Sequence, residues 1–317
     1  MNILIIKLGA TGDVVRTTPL LRLLKGQTTW ITETKNTPLL AGLWPDLKCI
    51  CWEQRHLLPD TAYDLVINLE DSLEVGIYLK TLKYKQLFGA YVDSDNRLRY
   101  NDNSRHWFDL SLISSYGREV ADQLKFENRR SYQELIFSGL GLEFRNETYL
   151  LPQPVETALS GDVAIAPEAG PVWPMKNWAC YDQLKQQLES HGLTVNQLPR
   201  RRSLLEHLSD VRNHRCIVGG DSLPMHFALG TGTPCVTLFT CTSPWEIHDY
   251  GIQTKIVSPV LGKFWYQRGY DIRATTAISV EEVTSAVLKT VVTELPIPAQ
   301  LLQAALPDFL RLGARPQ

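Results

Sequence analysis

The sequence predicts an α/β protein built from two doubly wound domains, in each of which helices cover a parallel sheet. Short apolar runs typical of buried strands alternate with amphipathic runs typical of helices, which is the pattern of βαβ units. The alternation lapses near residues 149–161 and then restarts. A chain of 317 residues is long enough for two cores. We therefore predict domains at residues 1–155 and 156–317 that face each other across a central cleft.

The first domain is predicted to begin with a strand at residues 2–6, where an apolar run precedes a glycine-containing loop. Further apolar runs predict strands at residues 28–32, 47–52, 65–69 and 85–90. The spacing of apolar residues predicts helices at residues 14–25, 38–43 and 75–82, and a long amphipathic segment at residues 118–140. This order fits a parallel sheet whose strands are joined by helices.

The second domain follows a stretch of proline and small polar residues that is typical of a linker, residues 149–161. The same patterns then predict strands at residues 163–166, 193–197, 215–218 and 235–239. Helices are predicted at residues 180–191, 204–211, 225–230 and 280–288. A final amphipathic helix is expected at residues 299–312, packed back on the first domain.

The composition excludes several classes of protein. A net charge of −2 argues against a dedicated nucleic-acid binder, which carries a strongly basic domain. Lys7 interrupts the N-terminal apolar run too early for a secretory signal, and no apolar stretch is long enough to span a bilayer. The six cysteines are scattered and form no CxxC pair, which favours reduced thiols. We therefore expect a cytoplasmic protein.

The loop after the first predicted strand carries an unexpected carboxylate. Its residues 9–13 read Gly-Ala-Thr-Gly-Asp and lead into a helix, an arrangement that places backbone N–H groups at the carboxyl edge of a sheet. Lys7 occupies the position of the first glycine of a dinucleotide fingerprint, and no Gly-Lys-Ser/Thr follows. A loop that only bound phosphate would not carry Asp13, because like charges repel. Asp13 therefore fits a general base, although capping of the next helix accounts for it equally well.

Two further glycine-containing loops follow predicted strands in the second half. Residues 219–226 read Gly-Gly-Asp-Ser-Leu-Pro-Met-His, in which Asp221 and Ser222 suit sugar hydroxyls and the helix N-terminus suits a diphosphate. For His226, a place in the core is favoured over a catalytic role. Residues 167–178 place small residues after a strand, and Lys176 there offers a point charge to phosphate unless it is merely a solvated lysine.

These segments together resemble glycosyltransferase family 9, the heptosyltransferase-type enzymes that act on lipopolysaccharide. Residues 3–20 are similar to the N-terminal signature of the family, and residues 176–178 (Lys-Asn-Trp) to its Lys-x-Trp element. Residues 220–226, with Ala228, are similar to its Asp-x-Gly/Leu-x-x-His-x-Ala segment, and residues 236–239 to the strand after it. The order and spacing match over almost the whole chain. They specify a family but no substrate.

The resemblance implies a GT-B architecture, with an acceptor-binding first half and a donor-binding second half, and an inverting reaction that needs no metal or other cofactor. Asp13 would be the general base that deprotonates the acceptor hydroxyl. The other implied site residues are, on the donor side, Lys176, Asp221, Ser222, Gly220, Gly170 and His226, and, on the acceptor or phosphate side, Lys7, Gly12 and Arg16.

The function expected from this resemblance is transfer of a sugar, heptose from ADP-heptose, to a lipopolysaccharide core or related bacterial surface glycan. The partners would be the nucleotide sugar and a glycan acceptor at the inner membrane surface, with the protein in the cytoplasm or peripheral at the cytosolic face. Two alternatives stay open: another nucleotide sugar used on a different acceptor, and a non-catalytic nucleotide-sugar-binding protein of the same fold.

Four other segments carry residue types found in binding sites. Residues 93–95 match a metal-binding Asp-x-Asp, but a polar turn accounts for them better. The arginines of residues 200–202 could approach donor phosphates or stand in solvent, and the basic and aromatic residues 105–109 and 129–132 could meet an anionic glycolipid or belong to an amphipathic helix. Many relatives carry a cysteine cluster where residues 262–271 have aromatic side chains, so any metal or disulfide role of that cluster is not expected here.

Overall fold

The computed structural model describes residues 1–110 and 116–293, and these residues form eleven strands and twelve helices in two sheet-and-helix layers. The strands are β1 (Asn2–Ile6), β2 (Gln27–Thr32), β3 (Leu47–Cys51), β4 (Ala62–Asn68), β5 (Lys83–Val92), β6 (Leu98–Tyr100), β7 (Gly161–Ala166), β8 (Val195–Gln197), β9 (His214–Gly220), β10 (Cys235–Phe239) and β11 (Gln253–Val257).

The helices lie between and after these strands. They are α1 (Thr11–Thr17), α2 (Leu20–Leu23), α3 (Thr37–Leu40), α4 (Leu73–Leu79), α5 (Asp102–Phe108), α6 (Arg118–Glu127), α7 (Tyr132–Gly139), α8 (Tyr181–Ser190), α9 (Leu204–Arg212), α10 (Leu223–Thr231), α11 (Ile272–Thr275) and α12 (Val280–Thr293). No described helix is both long and apolar enough to cross a membrane.

The first sheet has the strand order β3-β2-β1-β4-β5-β6, and only β6 runs antiparallel to its neighbour. Residues 3–6 of β1 are fully buried because the strand lies at the centre and helices cover both faces of the sheet. The chain moves outward from β1 to β3, returns to β4 beside β1 and then moves to the other edge. The gap between the carboxyl ends of β1 and β4 is therefore a topological switch point, where such sheets bind ligands.

The second sheet has the order β11-β10-β9-β7-β8, and all its strands are parallel. Here β7 and β9 lie side by side at the reversal of the strand order. Residues 217 and 218 of β9 and residues 164 and 165 of β7 are buried at the centre. The second switch point therefore lies between the carboxyl ends of β7 and β9. The predicted α/β class with two doubly wound sheets is confirmed.

The predicted boundary between residues 155 and 156 falls in a stretch, residues 142–160, that has no helix or strand. In the sequence, the strands of the first sheet precede this stretch and those of the second sheet follow it. The division into domains stays a prediction. The helix predicted at residues 299–312 lies outside the described residues.

Two segments that were each predicted as one helix are two helices, for local reasons. The helix predicted at residues 14–25 begins at Thr11 and is split into α1 and α2. Pro19 has no N–H to give to the carbonyl oxygen of Val15, which instead accepts from the backbone N–H and the hydroxyl of Thr18. The segment at residues 118–140 is likewise two helices, because Ser131 caps α7 in a reciprocal capping box with Glu134.

Candidate active site

A cleft of about 600 Å³ lies between the carboxyl edges of the two sheets. Residues that follow the two switch points line it from opposite sides: Lys7 and Glu70 follow β1 and β4, while Gly170 and Asp221 follow β7 and β9. Of the predicted site residues, those that line the cleft are Lys7, Gly12, Asp13, Arg16, Gly170, Lys176, Asp221, Ser222 and His226. The cleft therefore joins residues far apart in sequence through the shared geometry of two parallel sheets.

Asp13 lies in the first turn of α1 and not at its cap. The N-cap residue is Ala10, which makes no side-chain capping bond, and helix α1 begins at Thr11. The interpretation of Asp13 as a cap for a helix beginning at residue 14 is therefore wrong. Its carboxylate is 32% exposed and faces the cleft, and the positive end of the helix dipole stabilises its negative charge.

Two cations hold the Asp13 carboxylate. Oδ1 lies 2.8 Å from Nη2 of Arg16, one turn later on α1, and Oδ2 lies 3.9 Å from Nζ of Lys7. Desolvation in the cleft raises the pKa of Asp13, but the charges of Arg16 and Lys7 outweigh this effect and leave the pKa below its ordinary value. Asp13 is thus ionised at neutral pH, the state that a general base requires.

Lys7 is a buried ammonium at the end of β1. Its Nζ donates to Oε1 of Glu70 at 2.9 Å, and the same oxygen accepts the backbone N–H of Leu8 at 2.7 Å. Burial lowers the pKa of Lys7, but the carboxylates of Asp13 and Glu70 raise it by more, so it stays charged. Glu70 therefore fixes the position of this cation against Asp13.

Gly12 and His226 bring the two halves of the protein into close contact. A Cβ on Gly12 would lie 2.7 Å from Cδ2 of His226, so only glycine allows α1 to approach α10 this closely. His226 is 5% exposed, and its Nδ1 lies 3.5 Å from the hydroxyl of Tyr149. Desolvation and then the charge of Arg16 lower the pKa of His226 to about 4. The histidine is thus a buried, neutral residue that also lines the cleft.

The opposite wall of the cleft centres on Lys176 and Asp221. Nζ of Lys176 donates to the carbonyl oxygen and to Oδ2 of Asp221, both at 2.8 Å, and the hydroxyl of Thr242 donates to the same Oδ2 at 3.0 Å. Burial raises the pKa of Asp221, but the charge and hydrogen bond of Lys176 chiefly outweigh it and bring the pKa to about 2. The wall therefore offers a fixed ammonium beside a permanently ionised carboxylate.

The N-terminus of α10 opens onto the same wall. Ser222 is its N-cap residue and makes no side-chain capping bond. Pro224 has no N–H and that of Met225 donates to the carbonyl oxygen of Ser222, so the helix directs its dipole and the N–H of Leu223 toward the cleft. Ser222 and Leu223 both line the cleft. A nine-residue helix directs its positive end at this point, which is a favourable site for an anion.

Gly220 does not line the cleft. A Cβ there would lie 2.8 Å from the carbonyl oxygen of Lys176, so this glycine allows the loop that carries Lys176 to pack against β9. Its role as a donor contact stays a prediction, and the contact made in this structure is a packing contact.

Sequence reasoning missed several cleft residues that come from distant loops and helices. Lys125, Glu246 and Tyr266 line the cleft between the two halves. Tyr132, from the segment for which a glycolipid contact or an amphipathic helix was open, lines it as well. Desolvation raises the pKa of Glu246, although Arg16 and Lys125 oppose this effect. Glu70 also lines the cleft, and the sequence did carry a signal for it, because it comes shortly after a buried strand that ends at a sheet edge.

Contacts decide the roles of the Asp-x-Asp segment and of the arginine run. The carboxylate of Asp93 accepts backbone N–H groups from Asp95 and Arg97, so this Asp-x-Asp is a polar turn, as expected. Arg201 forms two hydrogen bonds with buried Asp210, outside the cleft, and Arg200 pairs with Glu168 at the surface. Arg200 and Arg201 are thus engaged outside the cleft in this structure.

At residues 262–271, where many relatives carry a cysteine cluster, aromatic residues pack together with neighbouring aromatic side chains. Trp265 contacts Phe126 and Trp245 edge-on or tilted, and its Nε1 donates to the carbonyl oxygen of Asp122. Within the described residues, no three His, Cys, Asp or Glu side chains are grouped so that they could hold a metal ion.

Solved structures of heptosyltransferases share this fold. E. coli heptosyltransferase WaaC with ADP superposes with a TM-score of 0.61 at 13% identity, over 92% of this chain and 100% of that chain. E. coli ADP-heptose lps heptosyltransferase II gives 0.58 at 15% identity, over 93% and 99%. The iron-containing dodecameric glycosyltransferase TibC from enterotoxigenic E. coli gives 0.57 at 14% identity, over 93% and 77%. The two facing sheets are the GT-B fold of these enzymes.

A family comparison matches one segment of the second half. Residues 172–264 match the model of "Glycosyltransferase family 9 (heptosyltransferase)", a segment that contains Lys176, Asp221 and Glu246. This match, together with the shared fold, confirms the resemblance to glycosyltransferase family 9. A search of curated protein sequences gives no match.

Proposed function

We propose that this protein is an inverting, metal-independent glycosyltransferase that transfers heptose from ADP-heptose to a lipopolysaccharide core or related bacterial surface glycan. The observation that carries the proposal is the opposition of Asp13 on one wall of the cleft to Lys176 and Asp221 on the other. One wall offers an ionised carboxylate and the other an ammonium beside a helix N-terminus. This is the pair of charges that transfer from a sugar diphosphate requires.

In the proposed reaction, Asp13 accepts the proton of an acceptor hydroxyl as its oxygen bonds to the anomeric carbon of the donor. The bond from the anomeric carbon to the diphosphate oxygen breaks on the opposite side, so the anomeric configuration inverts. Lys176 and the N-terminus of α10 stabilise the negative charge on the departing nucleoside diphosphate. Asp221 and Ser222 accept and donate hydrogen bonds at the donor sugar.

The remaining predicted residues have supporting parts. Gly170 leaves open space beside the donor wall, since a Cβ there would meet nothing within 4 Å. His226 closes the floor between the two halves. On the acceptor wall, Lys7 and Arg16 hold the base and Gly12 allows the walls to approach.

The identity of the donor is supported by the heptosyltransferases that share the fold. WaaC has been solved with ADP and with ADP-2-deoxy-2-fluoro heptose, and both structures match this chain over more than nine-tenths of its length. We extend this donor to the present protein, with an acceptor presented at the cytosolic face of the inner membrane.

A thermal-shift panel with ADP-heptose and with GDP-, UDP- and dTDP-sugars tests the donor. Stabilisation by ADP-heptose alone supports the proposal. Stabilisation by another nucleotide sugar instead would identify that compound as the donor, and stabilisation by none favours a non-catalytic scaffold protein. Transfer to a deacylated core oligosaccharide, followed by mass spectrometry, tests the acceptor. Transfer that persists in EDTA supports metal independence, whereas loss of transfer that Mg²⁺, Mn²⁺ or Fe²⁺ restores contradicts it.

The base is tested with Asp13→Ala. This variant should lose transfer by at least about 100-fold, the usual contribution of a general base, while its affinity for ADP-heptose stays within about threefold of the wild type. Asp64→Ala, which removes a half-buried carboxylate outside the cleft that pairs with Lys85 and accepts the backbone N–H of Asn2, is the matched control. Turnover at a rate close to that of the wild type would show that Asp13 has only a structural role.

A further inference from the structure

Arg16 makes its closest charged contact with the proposed base. Its Nη2 lies 2.8 Å from Oδ1 of Asp13, and its side chain is 15% exposed. Nε of Arg16 is buried and has no hydrogen-bond partner among the described residues. Of the five N–H donors of this guanidinium, one is engaged with the base and that of Nε is inaccessible, which leaves those of Nη1 and the second of Nη2 for other partners.

The guanidinium is fixed from its other side by α7. The Cζ of Arg16 lies 3.9 Å from the centre of the Tyr132 ring, at the distance of a cation–π contact. The hydroxyls of Tyr132 and Thr17 are 2.8 Å apart, and that of Thr17 donates to the backbone oxygen of Asp13 at 2.6 Å. The amide of Gln133 also donates to the carbonyl oxygen of Arg16 at 2.9 Å. The contacts form a closed loop from Asp13 through Arg16, Tyr132 and Thr17 back to Asp13.

We propose that Arg16 is a positioning residue that orients the Asp13 carboxylate, with Tyr132 as its support, and that it does not bind the donor phosphates. The inference rests on the proposed function for the role of Asp13 as base. It replaces the expectation of a direct ligand contact for Arg16. A planar guanidinium holds one carboxylate oxygen in a fixed direction, so the other oxygen can face the acceptor hydroxyl.

The charges around Asp13 predict the direction of the effect. The titratable groups that face it from the surrounding elements are Lys7, Arg16, Tyr132, Asp221 and His226. Desolvation is the largest influence and raises the pKa of Asp13, and Arg16 is the strongest of the cations that lower it. Removal of Arg16 therefore leaves a desolvated carboxylate with only the more distant Lys7, and its pKa should rise.

The test compares Arg16→Gln and Arg16→Lys with the wild type. Titration of the Asp13 carboxyl by ¹³C NMR, assigned with Asp13→Asn, should give a midpoint at least about one pH unit higher in Arg16→Gln. The kcat for transfer from ADP-heptose should fall about 10–100-fold with a donor KM within about threefold of the wild type. The acidic limb of the kcat/KM profile should move to higher pH with the carboxyl.

The conservative variant separates charge from geometry. Arg16→Lys should restore most of the titration midpoint but less of the rate, because an ammonium keeps the charge and loses the planar fork. Arg22→Gln, which removes an exposed arginine that bonds Thr148, should match the wild type in every measurement. If Arg16→Gln does not fold, Tyr132→Leu, which removes the supporting ring and its hydroxyl but keeps the guanidinium, should give a smaller shift of the same sign.

Three outcomes would overturn the inference: an unchanged Asp13 midpoint in Arg16→Gln, an unchanged kcat, or a loss confined to the donor KM. The last outcome would make Arg16 a phosphate ligand. Failure of the proposed function looks different, since the wild type would then transfer no sugar or Asp13→Ala would remain active. The titration of Asp13 needs no turnover, so it tests the charge effect of Arg16 in either case.

Discussion

The contact between Gly12 and His226 gives the sharpest prediction about how the two halves fit together. Gly12→Ala places a methyl group 2.7 Å from Cδ2 of His226, well inside the separation of two packed carbon atoms. His226 is almost fully buried and has Tyr149 behind it, so it has little room to turn away. Overpacking of this kind costs about 1–3 kcal/mol.

The same substitution has an opposite effect on the helix itself. Gly12 lies inside α1 with a backbone conformation that alanine also adopts, and alanine in a helix is favoured over glycine by about 0.5–1 kcal/mol. The net destabilisation should therefore be about 0–2.5 kcal/mol. In a His226→Ala background the clash is absent, and Gly12→Ala should become stabilising by about 0.5–1 kcal/mol.

The assay is a double-mutant cycle measured by urea unfolding. Wild type, both single variants and the double variant should give a coupling energy of about 1–3 kcal/mol that favours the double variant. Gly269→Ala, whose added methyl would meet nothing within 4 Å, controls for the substitution itself and should leave stability unchanged. Additive effects of Gly12→Ala and His226→Ala, within about 0.5 kcal/mol, would show that α1 and α10 do not pack as described.

Two further predictions concern the donor wall and its histidine. Lys176→Gln should weaken binding of ADP-heptose about 10–100-fold in calorimetry, because a charge-assisted hydrogen bond is lost. Lys83→Gln, which alters an exposed ion pair, is the control. Equal affinities of Lys176→Gln and the wild type for ADP-heptose would show that Lys176 does not bind the donor. The pKa of His226 is about 4 in the folded protein and about 6.5 when unfolded, so the unfolded chain binds the extra proton between these values. Its contribution to stability is therefore present above pH 6.5 and lost as the pH falls toward 4, by about 3 kcal/mol relative to His226→Gln in urea unfolding. A constant difference between the two proteins across this range would mean that His226 is not desolvated as described.

Local patterns were enough to predict most of the secondary structure. Strands β1 and β10 were predicted with their observed bounds, since a short apolar run next to a glycine-containing loop is typical of a buried strand. Strands β6 and β11 were missed. No residue of β6 and only Ile256 of β11 is buried, so their sequences carry a weak apolar signal, and pairing with β5 and β10 makes them strands.

The site residues were predicted with a general rule about tertiary structure, namely where parallel sheets place the loops that follow their strands. Asp13, Lys176 and Asp221 each follow a buried strand, and the carboxyl ends of parallel strands meet at one edge of a sheet. Once two such sheets face each other, their loops share a cleft. The sequence could thus assign these residues to a common site without a single measured distance.

The amino-acid sequence by itself determined the α/β class, the two parallel sheets and the loops that carry Asp13, Lys176 and Asp221. These features depend on the periodicity of apolar residues and on glycines next to strands, and both are local patterns that can be recognised in the sequence. The tertiary structure alone decided that Asp13 pairs with Arg16, that Tyr132 supports this pair and that Gly12 packs on His226. The last two contacts join residues more than one hundred positions apart, and the first depends on a side-chain rotamer, so both kinds are set by packing that no local pattern records.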